Sequence, residues 1–265
     1  MSYPNARRYL PLAILLSLGV TARADVVTLN PAHDATLIEI APNRNNGAEQ
    51  WFMAGTTQNG TRNRGLLQFD FTGIIPANAI ITSVDLSLEV TRVPGCGLVS
   101  SQFSLHQMLT SWGEGAKFAV DNQGGQGDDA TAGEVTWNRR FVGGAAWGAP
   151  GGLEDVDFAA VSSGLLNIYG TGDSPYHFVD AQMALDVQNW VNNPAANFGW
   201  MLMTDAENTP FTARRFGSHE DANVSPILTV YFEVVPEPGM IGLGVLMLTI
   251  TGVSGWRVQQ SRARH

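Results

Sequence analysis

Three tryptophans, Trp112, Trp137 and Trp147, lie among Gly, Ser, Asn and Glu rather than in apolar runs. In that setting an indole face can stack on the C–H face of a sugar ring, although any one of them alone is more often packing than platform. Arg139-Arg140, just after Trp137, would supply the charge that an acidic sugar calls for, and Arg214-Arg215 is a second such pair. Arg64 and Glu220 stand on otherwise apolar stretches. Arginine meets carboxylate bidentately, so they are expected to form a buried pair that fixes register, with ligand contact as the alternative. Hard oxygen donors gather at Asp121, Asp128 and Asp129 on a Gly-rich loop, which suits a structural Ca2+ but lacks the EF-hand spacing. Asp34 is a second candidate for such an ion. A solvated loop is the plainer reading of the first group.

Catalytic patterns are sparse. There is no G-x-S-x-G turn and no H-E-x-x-H helix. His33, His106, His177 and His219 are scattered, and Cys96, the sole cysteine, sits in a Pro-Gly-Cys-Gly turn with no base beside it. Two carboxylates such as Glu114 and Glu220 would suffice for glycoside hydrolysis. With so many acidic residues present, a chosen pair carries little weight, and a non-enzymatic role is expected.

The two ends of the chain do not read as parts of a fold. Residues 1–24 combine Arg7 and Arg8, an apolar run from Leu10 to Val20 and Ala22-Arg23-Ala24. This is the layout of an export signal cut by signal peptidase, which would leave Asp25 first. At the other end, Pro236-Glu237-Pro238 precedes an apolar run over 240–256 and then Arg257, Arg262 and Arg264. Arginines after such a segment belong on the cytoplasmic side, which leaves the main domain outside. This tail, residues 235–265, resembles a PEP-CTERM sorting signal. The resemblance implies a Gram-negative bacterium that makes extracellular polysaccharide, transient membrane insertion and processing by an exosortase-type protease. The expected location is the cell surface or extracellular matrix.

Between the ends, residues 25–234 form one expected domain with no internal repeat. It carries nine Lys and Arg against 23 Asp and Glu, a net charge of −14, with Lys117 its only lysine. Such a balance disfavours nucleic acid as a partner. With one cysteine no internal disulfide is possible, so stability must come from packing, aided by a metal if one binds.

The domain reads as all-β. Val84, Leu86, Leu88 and Val90 alternate with Asp85, Ser87, Glu89 and Thr91, the period of a strand with one wet face. Residues 65–71 read as a second strand, and 34–40, 50–55, 102–109, 134–138, 199–204 and 226–234 as further ones. Residues 113–172 are expected to be extended loops with two or three short strands. Asp180 to Asn192 breaks the pattern: Ala184, Val187, Trp190 and Val191 fall at helical spacing behind an Asp cap and before Asn-Asn-Pro. The expected architecture is an antiparallel, jelly-roll-like β-sandwich with one short helix, on which Trp190 is a core plug.

An ordered set of short motifs spans most of residues 30–232. It includes Asp34-Ala35-Thr36, Asn63-Arg64-Gly65-Leu66-Leu67-Gln68-Phe69-Asp70, Ser111-Trp112-Gly113-Glu114, Val135-Thr136-Trp137-Asn138 and Phe216-Gly217-Ser218-His219-Glu220. In order and spacing these resemble the DNRLRE domain, which is similar to carbohydrate-binding module family 96. Gly65 and Gln68 depart from the pattern, and His219 stands where an arginine is usual. The resemblance implies a β-sandwich of microbial surfaces, often found beside polysaccharide-active enzymes, some members of which bind acidic polysaccharide. The expected function is therefore non-catalytic binding of, or association with, extracellular polysaccharide. A self-assembling matrix protein without specific glycan binding is the alternative, and a polysaccharide hydrolase or lyase the last.

Overall fold

The computed structural model describes residues 23–119 and 125–234. The expected export signal up to residue 22, the expected sorting motif Pro236-Glu237-Pro238 with the apolar run after it, and Asp121 lie outside the described residues. Among those described, no helix is long and apolar enough to cross a membrane.

Two antiparallel sheets face each other across a core. The smaller has the order β1 (Arg23–Leu29), β14 (Ile227–Val234), β6 (Ala79–Leu88), β11 (Tyr176–Phe178). The larger runs β10 (Phe158–Ile168), β8 (Ser101–Met108), β12 (Trp200–Thr204), β5 (Arg62–Gln68), β4 (Trp51–Thr56), β13 (Arg214–Gly217), β7 (Val90–Arg92), with β2 (His33–Ile38) also paired to β5. A two-residue ribbon joins β3 (Arg44–Asn45) to β9 (Asp128–Asp129). The chain passes from one sheet to the other at Glu89: Leu88 pairs with Tyr176 in the smaller sheet and Val90 with Phe216 in the larger.

Between the sheets, the inward residues of β6 (Val84, Leu86, Leu88) meet Leu67, Phe103, Leu105, Trp200, Leu202 and Phe216. Around β2, β5 and β12 the opposite face of the larger sheet is buried as well. Leu66, Met201 and Met203, which point away from the first core, pack with Trp112, Val135, Trp137, Trp147 and Phe158 in a second one. Strands β5 and β12 therefore bury both faces, and β12, Trp-Met-Leu-Met-Thr, accordingly reads as an apolar run without alternation. Residues 110–119 and 125–157 lay Trp112, Val135, Trp137 and Trp147 on the sheet through tight turns. The strand expected at 134–138 does not form; only an isolated bridge, Arg139 to Ala146, occurs nearby. The middle region instead yields the short β9 and the 11-residue β10. Register shifts between Phe158 and Gly164 break the period-2 pattern of β10.

Helix α1 (Ala181–Asn192) forms where expected. The Asp180 carboxylate accepts from Gln182 N, and the helix stops ahead of Pro194. Its inward face puts Trp190 between Phe71, with ring centres 6.1 Å apart, and Trp200, 4.6 Å away. Trp190 is 1% exposed and is the core plug anticipated. Gly199, at φ +76°, leads into β12; a Cβ there would lie 1.9 Å from Leu67 O, so no other residue fits.

The two packed indoles differ in their polar atoms. Trp200 Nε1 donates to the buried Asp186 Oδ2 at 2.8 Å, whereas Trp190 Nε1 is buried without a partner. Trp200→Phe should therefore cost about 1–3 kcal/mol more than Trp190→Phe in urea unfolding, because it takes a donor from a buried carboxylate. Equal costs would contradict this account.

Candidate functional site

The residues expected to contact sugar do not form a platform. Trp112, Trp137 and Trp147 are 7%, 4% and 5% exposed. Trp112 Nε1 donates to Phe198 O and Trp147 Nε1 to Thr136 O. Trp137 lies beneath the guanidinium groups of Arg62 and Arg64, 5.3 and 5.7 Å from its ring centre. Their polar sequence neighbours are turn residues; the indoles themselves fill the second core. Arg139 donates to Gly144 O, and Arg140 to Ala146 O and Ser111 O, so both brace this loop layer.

The expected Arg64–Glu220 pair is corrected. Arg64 pairs bidentately with Glu207, through Nε and Nη2 at 2.7 Å each, and Nη1 donates to Gly151 O. Glu207 stands in the turn after β12, 143 residues from Arg64, and no local pattern marked it. Arg62 joins the group through Glu39. The acidic loop is not drawn into a cage by its described residues: Asp129 meets Arg44 at 3.4 Å, and Asp128 accepts from the Asp129 main chain.

Glu220 belongs to a different cluster. Asp34, buried at the start of β2, accepts from both His219 N (2.8 Å) and His219 Nδ1 (3.0 Å). On the other side of the ring, Nε2 lies 3.2 Å from Glu220 Oε1. Glu114 Oε1 accepts from Asp34 N and lies 3.4 Å from His219 Nδ1, while its Oε2 meets His33 Nδ1 at 2.8 Å. Glu114 and Glu220, the carboxylates considered for hydrolysis, are thus both engaged with one imidazole. The bond to Asp34 and the surrounding carboxylates push the His219 pKa up to about 9. Burial pushes the Asp34 and Glu220 carboxyls up, opposed at Asp34 by the His219 contact. Among the described residues, Asp34, His219 and Glu220 bring potential metal-ligating atoms within 4.8 Å of one another, with the two carboxylates on opposite nitrogens of the ring.

Two cavities have the size of ligand sites. The larger, about 520 Å3, is walled by Phe69, Phe71, Trp190 and Val191 at the end of the first core. Its polar groups satisfy one another: Gln68 donates to Asn197 O, and Asn197 to Phe69 O. The smaller, about 260 Å3, opens on the outer face of β4, β13 and β7 and is lined by Met53, Thr57, Gln58, Arg92, Pro94 and Arg215. Alternation along β13 explains it. Arg214 and Phe216 point inward, and Arg215 outward.

Arg214 is fully buried and donates to the carbonyls of Thr212, Ala213, Val99 and Ile168, with burial lowering its pKa to about 10. Arg215 pairs in register with Arg92 on one side and Met53 on the other. Its guanidinium lies 3.8 Å from the centre of the Trp51 ring. Burial and the neighbouring Arg92 charge lower the Arg215 pKa. Two cations and an indole thus meet on the surface of a domain of net charge −14. Arg215 had been singled out in the sequence; Arg92 and Trp51 had not, since only strand pairing brings them together.

No protein-family model and no curated protein matches this chain.

Glu207→Gln should destabilise the protein by about 3–5 kcal/mol in chemical unfolding, because Arg64 is left buried without its carboxylate. Glu220→Gln should cost less than half as much. The pH dependence follows from His219. A pKa raised in the folded state gives stability that is complete below the ordinary imidazole value near 6.5 and is lost as pH rises through about 9. His33, raised by Glu114, acts in the same sense. With chelator present, thermal stability should fall between pH 6.5 and 9, and His219→Gln should flatten that slope. An equal slope in the variant would remove His219 as its source.

Proposed function

We propose that this chain is an exported, non-catalytic surface protein that associates with acidic extracellular polysaccharide through the cleft lined by Arg92 and Arg215. The observation that carries the reading is the pair of adjacent arginines, one stacked on an indole, around a cleft of about 260 Å3. A carboxylate or sulfate between the guanidiniums relieves their repulsion and accepts bidentate hydrogen bonds. Thr57 and Gln58 on the rim offer hydroxyl and amide partners of the kind a sugar ring uses. The export-signal layout of residues 1–24 and the PEP-CTERM-like tail support a location outside the cell, where such polymers are found. The DNRLRE-like order of motifs agrees with this assignment.

A second reading rests on β10. It forms an edge of the larger sheet, carries no charged residue, and exposes Val161 and Leu165 at 70% and 48%. Uncharged edge strands are templates for pairing with another chain, the geometry of a self-assembling matrix protein.

Full-length protein in mild detergent should bind carboxylated or sulfated polysaccharides in affinity electrophoresis, with retardation that weakens as salt is raised. Arg92→Ala and Arg215→Ala should each weaken binding at least tenfold, and Arg139→Ala less than twofold. If folded protein binds no polysaccharide but associates with rising concentration, and Val161→Lys abolishes that association, the second reading replaces the first.

A further inference from the structure

The arginine cleft is not polar throughout. Along β4, Phe52 and Ala54 belong to the first core, so Met53 points outward; it stands outside both cores and is 9% exposed. Met53 pairs in register with Arg215, and Arg215 with Arg92, so a thioether and two guanidiniums share one row of the outer face. The next row is nearly bare. A Cβ on Gly55, at φ +102°, would lie 2.5 Å from Thr212 O and 2.8 Å from Ala213 Cα. Two small residues, Gly55 and Ala213, thus leave a depression there, bordered by Pro94 and by Thr57 and Gln58.

Arg215 is held in place beside it. Its guanidinium lies 3.8 Å from the Trp51 ring centre, and the main chain at Gly125 approaches the same pair. A Cβ on Gly125 would lie 2.4 Å from Trp51 Cη2 and 2.7 Å from Arg215 Nη2. A guanidinium fixed in this way loses little freedom when an anion docks.

Charge and apolar surface are therefore neighbours. Directly opposed residues of an antiparallel pair carry Cβ atoms about 4.5–5.5 Å apart. A ligand that uses both Arg215 and Met53 must carry its anionic and its apolar group close together. A plain uronate sets ring hydroxyls next to its carboxylate. These would lose water against Met53 and Pro94, with Thr57 and Gln58 as the uncharged polar side chains lining the cleft. Taking the cleft as the site for acidic polysaccharide, we propose that it accepts a sugar acid whose carboxylate-bearing carbon also carries a methyl group, as in a pyruvate ketal. The carboxylate lies between Arg92 and Arg215, and the methyl rests on Met53 and Ala213.

In titration calorimetry, full-length protein in mild detergent should bind the pyruvate ketal of methyl galactoside at least about tenfold more tightly than methyl galacturonoside, which has the carboxylate without the methyl. Met53→Gln should erase most of that preference, because an amide replaces the apolar floor. Should Met53→Gln fail to fold, Ala213→Leu decides: it fills the depression and should weaken ketal binding at least tenfold. A ketal that binds no tighter than the uronoside, or a preference undiminished in the variant that folds, would overturn the assignment. The polysaccharide reading then still stands if carboxylated or sulfated polymers retard the protein through Arg92 and Arg215, and falls with it if they do not.

Discussion

Burial of both faces of the larger sheet around β5 and β12 is the constraint on which the rest of the molecule depends. A sandwich of two sheets needs only its inner faces covered. Here β5 and β12 present Leu66, Met201 and Met203 on the far side, and water must be kept from them too. Residues 110–157 serve that end, and the tryptophans they carry are its instruments. The buried Arg64 follows from the same arrangement. Its strand faces protein on both sides, so its charge needs an internal carboxylate and carbonyls from the covering loop.

That constraint also decides what was legible in the sequence. Helix α1 could be read in full because its cap, its apolar spacing and its stop are all local. Strand β6 could be read because one of its faces is wet and the alternation survives. The tryptophans misled because Gly-rich turns give them a polar neighbourhood in sequence and an apolar one in space. Strand β13, Arg-Arg-Phe-Gly, was missed because Arg214 is buried on main-chain carbonyls alone, a solution without a sequence signature. Glu207 and the Asp34–His219 contact depend on separations of 143 and 185 residues, which no spacing rule reaches.

The few cations are distributed with a purpose that composition alone conceals. Arg62 and Arg64 neutralise Glu39 and Glu207 beside the second core, Arg139 and Arg140 brace the loop layer, and Arg214 is committed to carbonyls. Arg92 and Arg215 stand side by side across paired strands on an outer face. In an acidic domain, local charge of the opposite sign is a feature of position rather than of content.

Strand β1 opens the domain and β14 closes it, yet the two are neighbours in the smaller sheet, and the start of β2 is likewise held by the turn after β13. Neither contact can form until almost the whole domain has left the ribosome. The pairing order thus defers closure: the sandwich stays open along the chain and locks only once its last strand arrives.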